Sequence, residues 1–238
     1  MHNYRDMNQK NDIDFSMLLA SAAHDMKNSL AMIITTIDHI SDDIKQDDIS
    51  PLGKPLNQLR YEARRVNNDL MSLLTLYKFE GENITLHKEL NSVYDFLEEQ
   101  LLYHRASLEY ANVEGIIECD EMLEWVFDAN LLSGVINNVV NNALHYTNHT
   151  IKISAKVNKQ QLFIMIEDDG PGYPPSILEA QPGKSGVVDF KTGSSSLGLY
   201  FSQTIAQAHQ NDNKKGYITL NNESALGGSL FTLCIPKI

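Results

Sequence analysis

Cysteine is nearly missing from this chain. Two stand in 238 residues, Cys119 and Cys234, with no C-x-x-C spacing and no ligand pattern beside either. A disulfide-stapled scaffold and a thiolate zinc site are thereby disfavoured, and two reduced, buried thiols remain. Positive charge is also thin. There are 19 Lys and Arg against 31 Asp and Glu, a net charge of −12, and only short basic clusters such as Arg64-Arg65 and Lys214-Lys215. A protein that grips nucleic acid phosphates needs a basic stripe, so nucleic acid is excluded as a direct partner. Long apolar runs are lacking too. None approaches the roughly 18 residues of a membrane span, and the start, MHNYRDMNQKND, has no apolar signal-peptide core. A cytoplasmic chain is expected. With Met1 as the start it has almost no sequence in which to sense a signal, so a separate sensor protein is expected to regulate it.

What is present is enough hydrophobic sequence, 42% of residues, for an ordinary core, and its arrangement divides the chain. Leu19, Ala23, Met26, Leu30, Ile33, Ile37, Ile40 and Ile44 alternate spacings of four and three. Leu52, Leu56, Leu59, Ala63, Val66, Leu70, Leu73 and Tyr77 repeat the alternation. Each series is a heptad seam on a helix. Between them SDDIKQDDISPLGKP reads as a loop, so the pair predicts an antiparallel hairpin. Leu18, Ala22, Leu74 and Leu76 widen the stripes beyond a two-helix seam. A homodimer, with two hairpins forming a four-helix bundle, is expected to cover them; the alternative is a hairpin that packs on its own C-terminal domain.

Near Gly81 the pattern changes. NSVYDFLEEQLLYHR, ANLLSGVINNVVNNALHYT and LGLYFSQTIAQAHQ read as helices. VEGIIEC is a strand, TIKISAKV and QLFIMIED form a hairpin pair, and GYITLNNESALGGSLFTLCIP closes with two more strands. An α+β two-layer sandwich is expected, with helices on one face of a mixed sheet. The predicted organisation is a tail over 1–14, a helical hairpin over 15–80, and an α+β domain over 83–238.

Four segments can carry chemistry. In SAAHDMKNSLAMI, His24 sits one position past the seam, followed by Asp25, which can hold its tautomer and accept a proton. Asn28 lies one turn on, on the same face. In VINNVVNNALHYT, Asn137, Asn138, Asn141 and Asn142 crowd little more than one turn, although Asn loses about 0.6 kcal/mol against Ala in a helix. Asn138 and Asn142 share a face, and their carboxamides suit Mg²⁺ and phosphate oxygens. In IEDDGPGYP, Asp168 ends a strand with its carboxylate toward a cleft, and Gly170 and Gly172 allow close approach of backbone to a ligand. In KTGSSSLGLYFSQTIA, residues Gly193, Ser194, Ser195 and Ser196 run into a helix beginning near Leu197 and Gly198, whose free N–H groups favour phosphate. Each segment also has a plain structural explanation: a surface histidine, a solvated helix face, a hairpin turn, a helix cap.

In this order, the four segments resemble the histidine kinases of two-component signalling. HDMKN is similar to the family's phosphoacceptor box, VINNVVNNALHYT to its N box, EDDGPG and SSSLGLYFSQTIA to its two glycine boxes, and NNESALGGSLFTLCIP to its last two strands. The resemblance implies a dimeric phosphoacceptor hairpin and a Bergerat-type ATP-binding domain, swinging near Glu80–Glu82. It implies ATP and Mg²⁺ as cofactors, the adenine on Asp168, and the metal on Asn142. It also implies His24 as the phosphorylated residue and a response regulator receiver domain as the acceptor partner. Asn28 would serve a reverse, phosphatase activity. The chain departs from the family at Ser29, where a proline is usual. It also departs at Ser194, Ser195 and Ser196, where glycines are usual, and in a short 174–191 stretch that keeps Phe190 alone of the phenylalanine motif. These departures support a second reading, a dimeric phosphotransfer adaptor that no longer uses ATP. The retained Asn138, Asn142 and Asp168 oppose it.

Overall fold

The computed structural model describes residues 26, 28–37, 40, 53–80, 86–179, 195–211 and 214–237. The chain divides into two compact units, Met1–Leu74 and Thr75–Ile238.

In the first unit residues 28–37 are helical (α1), with no break at Ser29. A second helix, α2 (Gly53–Glu80), takes in the last three residues of the expected loop. Its Pro55 lies in the first turn, where the missing N–H has no intrahelical partner to lose. Within the heptads, Ile37 and Ala63 are buried. Met26, Ile33 and Ile40 on one series, and Leu59, Val66 and Leu73 on the other, are each more than 40% exposed. The exposed positions recur every seven residues.

The second unit is an α+β sandwich. Its elements are β1 (Glu89–Ser92), α3 (Val93–Ala111), β2 (Glu114–Glu118), β3 (Glu124–Phe127), α4 (Ala129–Tyr146), β4 (Thr150–Asn158), β5 (Gln161–Asp168), α5 (Pro175–Glu179), α6 (Ser195–Ala208), β6 (Tyr217–Asn221) and β7 (Leu230–Pro236). The main sheet has the order β2-β4-β5-β7-β6. β2 is parallel to β4 and the other pairs are antiparallel. The expected mixed sheet is therefore found. The β4–β5 hairpin closes through Lys159 and Gln160, both at positive φ, the turn geometry that matches strand twist. A separate two-stranded ribbon joins β1 to β3.

Period-two alternation makes the core. Ile151 and Ile153 on β4, Leu162, Ile164 and Ile166 on β5, Phe231, Leu233 and Ile235 on β7, and Ile218 and Leu220 on β6 are all buried. They lie opposite one another: Ile153 pairs with Ile166, Ile166 with Phe231, and Phe231 with Leu220. α3 packs beside β2, α4 on β4 and β5, and α6 on β6 and β7. Burial of each large aliphatic side chain contributes about 1.5–3 kcal/mol, enough to fix α4 and α6 on this face. Asp168 is the last member of the inward row of β5 and is paired with Ile151.

Both ends of α4 are pinned by polar groups. At its start Asp128 is the N-cap, accepting from Leu131 N–H at 3.1 Å and from His87 N–H at 2.9 Å. The Asp128 N–H donates to Nε2 of fully buried His209 at 3.0 Å, and Nδ1 of that ring lies 2.8 Å from the Ile205 carbonyl. Nε2 must accept and Nδ1 must donate, so the imidazole is neutral. Burial is the main force lowering its pKa, helped by Lys88 and opposed by the Ile205 carbonyl and Asp128.

An unfolded histidine titrates near ~6.5. Below that the unfolded chain binds the extra proton and the native one resists it. Stability is therefore level above about pH 6.5 and falls as pH drops below it. His209→Ala is expected to cost about 2–4 kcal/mol through a cavity and an unpaired N–H. It should also flatten the loss between about pH 6.5 and 5 seen in urea midpoints. Equal pH slopes in the two proteins would show that His209 is not the group responsible.

Candidate functional site

α4 brings the site together, and its asparagines have separate tasks. Asn137 turns away, its Oδ1 2.8 Å from Nε2 of buried His104 on α3. Asn138 is buried beside Gly198 of α6, where even an added Cβ on the glycine would meet it only in ordinary van der Waals contact. Asn142 is exposed and lines a cavity of about 780 Å³. Val139, Ala143, Ile166, Tyr173, Ile177 and Leu199 supply most of the apolar wall, and Asp168 and Ser229 stand among them.

Asp168 is 4% exposed. Its Oδ1 accepts from Gly170 N–H at 2.8 Å and from Ser229 N–H at 3.1 Å, and its Oδ2 accepts from the Ser229 hydroxyl. A carboxylate has about four acceptor positions, so one remains on Oδ2. The adjacent carboxylate does other work. Asp169 accepts from the Thr147 hydroxyl at 2.6 Å, from Asn148 and His149 N–H at 2.9 Å, and from Thr150 N–H at 3.2 Å. Burial would raise its pKa, but these donors, His149 first, hold it well below the usual carboxylate range. It ties the end of α4 to the end of β5 and so fixes Asn142 relative to Asp168.

The glycines are explained by close approach. A Cβ on Gly170 would meet the Tyr146 carbonyl at 2.5 Å. Gly172, at φ +80, would drive one into Asn222 at 2.7 Å. A Cβ on Gly228 would strike Asp168 itself. α6 (Ser195–Ala208) already includes Ser195 and Ser196, ahead of the expected start near Leu197. Gly198 and Leu197 thus lie inside the helix, Gly198 buried and Leu197 half-buried. Ser195 and Ser196 are described only as its opening residues. His24, Asp25, Gly193 and Ser194 lie outside the described residues. Asn28 is on α1 and exposed.

Gly228, Ser229, Asn222 and Tyr173 escape the sequence reading as site residues. Their one signal is Gly227-Gly228 before an apolar strand, a mark of close backbone approach. Tyr173 is half-buried, and desolvation pushes its phenol up to about 12, with Ser229 acting against the rise and Asp168 adding to it. It is a neutral hydroxyl at the same end of the cavity. A largely apolar cavity with an open acceptor on Asp168 fits a nucleobase carrying an exocyclic amine.

This fold and site define an ATP-binding domain of the GHKL type. Residues 127–238 match the family described as histidine kinase-, DNA gyrase B-, and HSP90-like ATPase. The sensor protein SrrB of Staphylococcus aureus is 22% identical over 243 residues, spanning 98% of this chain and 40% of that protein. The chain thus covers well under half the length of such relatives. In fold it is similar to the histidine kinase AdeS of Acinetobacter baumannii, with a TM-score of 0.58 at 24% identity over 88% of this chain and 97% of the other. It is also similar to the histidine kinase ThkA, solved in complex with the response regulator protein TrrA, with a TM-score of 0.58 at 23% identity over 93% of this chain and 61% of that one. Residues 127–238 thus carry a domain of that ATPase family, and over its length the chain is similar to sensor histidine kinases of two-component signalling. Among the described residues, no helix is long and apolar enough to cross a membrane.

Proposed function

We propose that the chain binds ATP in the Asp168 cavity, transfers the γ-phosphoryl group to His24, and passes it to an aspartate of a response regulator. The observation that carries this reading is the open acceptor position of Asp168 in a largely apolar cavity, on the same helix-and-sheet frame that presents Asn138 and Asn142. Asp168 and Ser229 orient the base, and the apolar wall excludes water from it. Asn138 and the 193–198 segment steady the triphosphate. Mg²⁺ bound with the triphosphate would neutralise its charge, with the Asn142 carboxamide oxygen as protein ligand. One imidazole nitrogen of His24 attacks the γ-phosphorus, the bond to the β-phosphate oxygen breaks, and ADP leaves. Asp25 holds the ring and accepts its other proton. Such transfer is chiefly positioning and electrostatics.

The hairpin's exposed heptad positions support a homodimer. Met26, Ile33 and Ile40, with Leu59, Val66 and Leu73, leave an apolar residue in water once per heptad on each helix. A second copy covers them in a symmetric bundle. ThkA was solved with its response regulator, which supports a receiver domain as the acceptor for this chain.

The test is incubation with Mg²⁺ and γ-labelled ATP. Label on the protein that is lost in acid and stable in alkali is expected. No label together with no ATP binding would end the kinase reading in favour of the phosphotransfer adaptor. Asn28, exposed on α1 one turn after His24, is assigned to orient water for dephosphorylating the regulator. Asn28→Ala is expected to slow that reaction about 10-fold or more while leaving labelling intact. Removal of phospho-regulator at the wild-type rate would refute the assignment.

A further inference from the structure

The floor of the cavity is a backbone segment with little means of holding itself in place. Residues 171–175 read Pro-Gly-Tyr-Pro-Pro. Three of the five have no N–H, so the segment cannot join a ladder, and Gly172 sits at positive φ. One side chain supplies what a neighbouring strand would. The Tyr173 N–H donates to Oδ1 of Asn222 at 2.7 Å, and Nδ2 of Asn222 donates to the Tyr173 carbonyl at 3.0 Å. Asn222 lies just past β6, 49 residues away along the chain. Gly172 packs on the same carboxamide, so closely that a Cβ would collide with it. The residues flanking this clamp hold Asp168: the Ser224 hydroxyl and Gly228 N–H donate to its carbonyl, and Ser229 holds its carboxylate. The loop between β6 and β7 thus grips both sides of the base-binding end.

We infer that Asn222 is a positioning residue for the nucleotide base: its bidentate grip on Tyr173 sets the 170–174 turn, and with it the width of the cavity beneath the base. The inference rests on the nucleotide reading above. Asn222 lines the cavity, yet its amide is committed to the turn, so it acts through Tyr173 rather than on the phosphates. Its loss should therefore appear in base affinity, with little change in the stability of the sheet. An exposed neutral hydrogen bond contributes only about 0.5–1.5 kcal/mol to folding.

The experiment is calorimetric titration of the whole chain with ADP and with adenosine, beside thermal unfolding of the ligand-free protein. Asn222→Ala is expected to weaken both ligands by a similar factor, about 10-fold, because both present the base. Its melting temperature should fall by only a few degrees. Asn222→Asp keeps the acceptor for the Tyr173 N–H but sets an oxygen against the carbonyl, and should show a loss of the same kind. Asn222→Ala that melts lower yet binds both ligands as wild type does would make the residue merely structural and overturn the inference. If Asn222→Ala fails to fold, Asn222→Asp decides on the same criterion. Wild type that binds neither ligand would remove the nucleotide reading and this inference together, an outcome distinct from a variant that binds normally.

Discussion

Asp168→Asn should fold as wild type and bind ADP at least 100-fold more weakly. The two expectations have one origin, the way the carboxylate is used. Oδ1 takes two backbone donors, Gly170 N–H and Ser229 N–H, and an asparagine oxygen placed there satisfies both. The amide nitrogen then occupies the Oδ2 position. The Ser229 hydroxyl, which donates to Oδ2, can turn and accept instead. The frame is preserved, but the open position in the cavity changes from acceptor to donor. A base amine arriving there meets another N–H. A lost charge-assisted hydrogen bond and an unmatched buried donor together cost about 3 kcal/mol, which is the 100-fold expected. Calorimetry with ADP reads the binding, and the urea midpoint reads the fold. ADP affinity within threefold of wild type in a folded Asp168→Asn protein would mean that the base does not use this carboxylate.

The case of Asp168 also marks how far the sequence can be read. The row Leu162, Ile164, Ile166, Asp168 is visible as alternation, and it correctly turns Asp168 rather than Glu167 toward the helices. Local patterns of this kind recover α4, α6 and the β4–β5 hairpin, because each is settled by neighbours within a few residues. The four-residue β1 strand, Glu-Leu-Asn-Ser, carries no apolar alternation. Its pairing with β3 connects residues 32 to 38 apart, from Ser92 opposite Glu124 to Glu89 opposite Phe127, and no local preference encodes that. Parallel pairing of β2 with β4 is hidden in the same way.

At the site, sequence reasoning found residues that resemble a motif and missed those that hold it. Asp168 and Asp169 are adjacent and chemically identical, yet one has an open acceptor and the other is saturated by the Thr147–Thr150 turn. Only the tertiary arrangement separates them. Asn222 acts on Tyr173 across 49 residues and Gly228 on Asp168 across 60, and a single sequence gives no covariation to link them. The clustered asparagines were legible because four poor helix formers in one turn require a reason. That Asn137 belongs to His104 rather than to the cavity follows from helix packing, which the sequence does not display.

His24→Gln is expected to abolish acid-labile labelling while leaving ADP binding unchanged. Glutamine has about the reach of histidine and can keep a polar contact to Asp25. Its amide nitrogen has no available lone pair, so it cannot attack phosphorus. The cavity lies entirely within 139–229, inside the unit Thr75–Ile238, while His24 belongs to the unit Met1–Leu74. The substitution therefore removes the acceptor and changes no residue that lines the cavity. Full labelling of His24→Gln would place the phosphoryl group on another residue and detach the hairpin from the reaction. The same variant, mixed with Asp168→Asn, then addresses the geometry of transfer. Each protein alone is silent, one for want of an acceptor and the other for want of a nucleotide. In a mixed dimer, an intact ATP site on one protomer faces an intact His24 on its partner. Label appearing in the mixture shows transfer between protomers. Silence in a mixture whose exchange has been verified confines transfer to one protomer, because neither chain then holds both halves of the reaction.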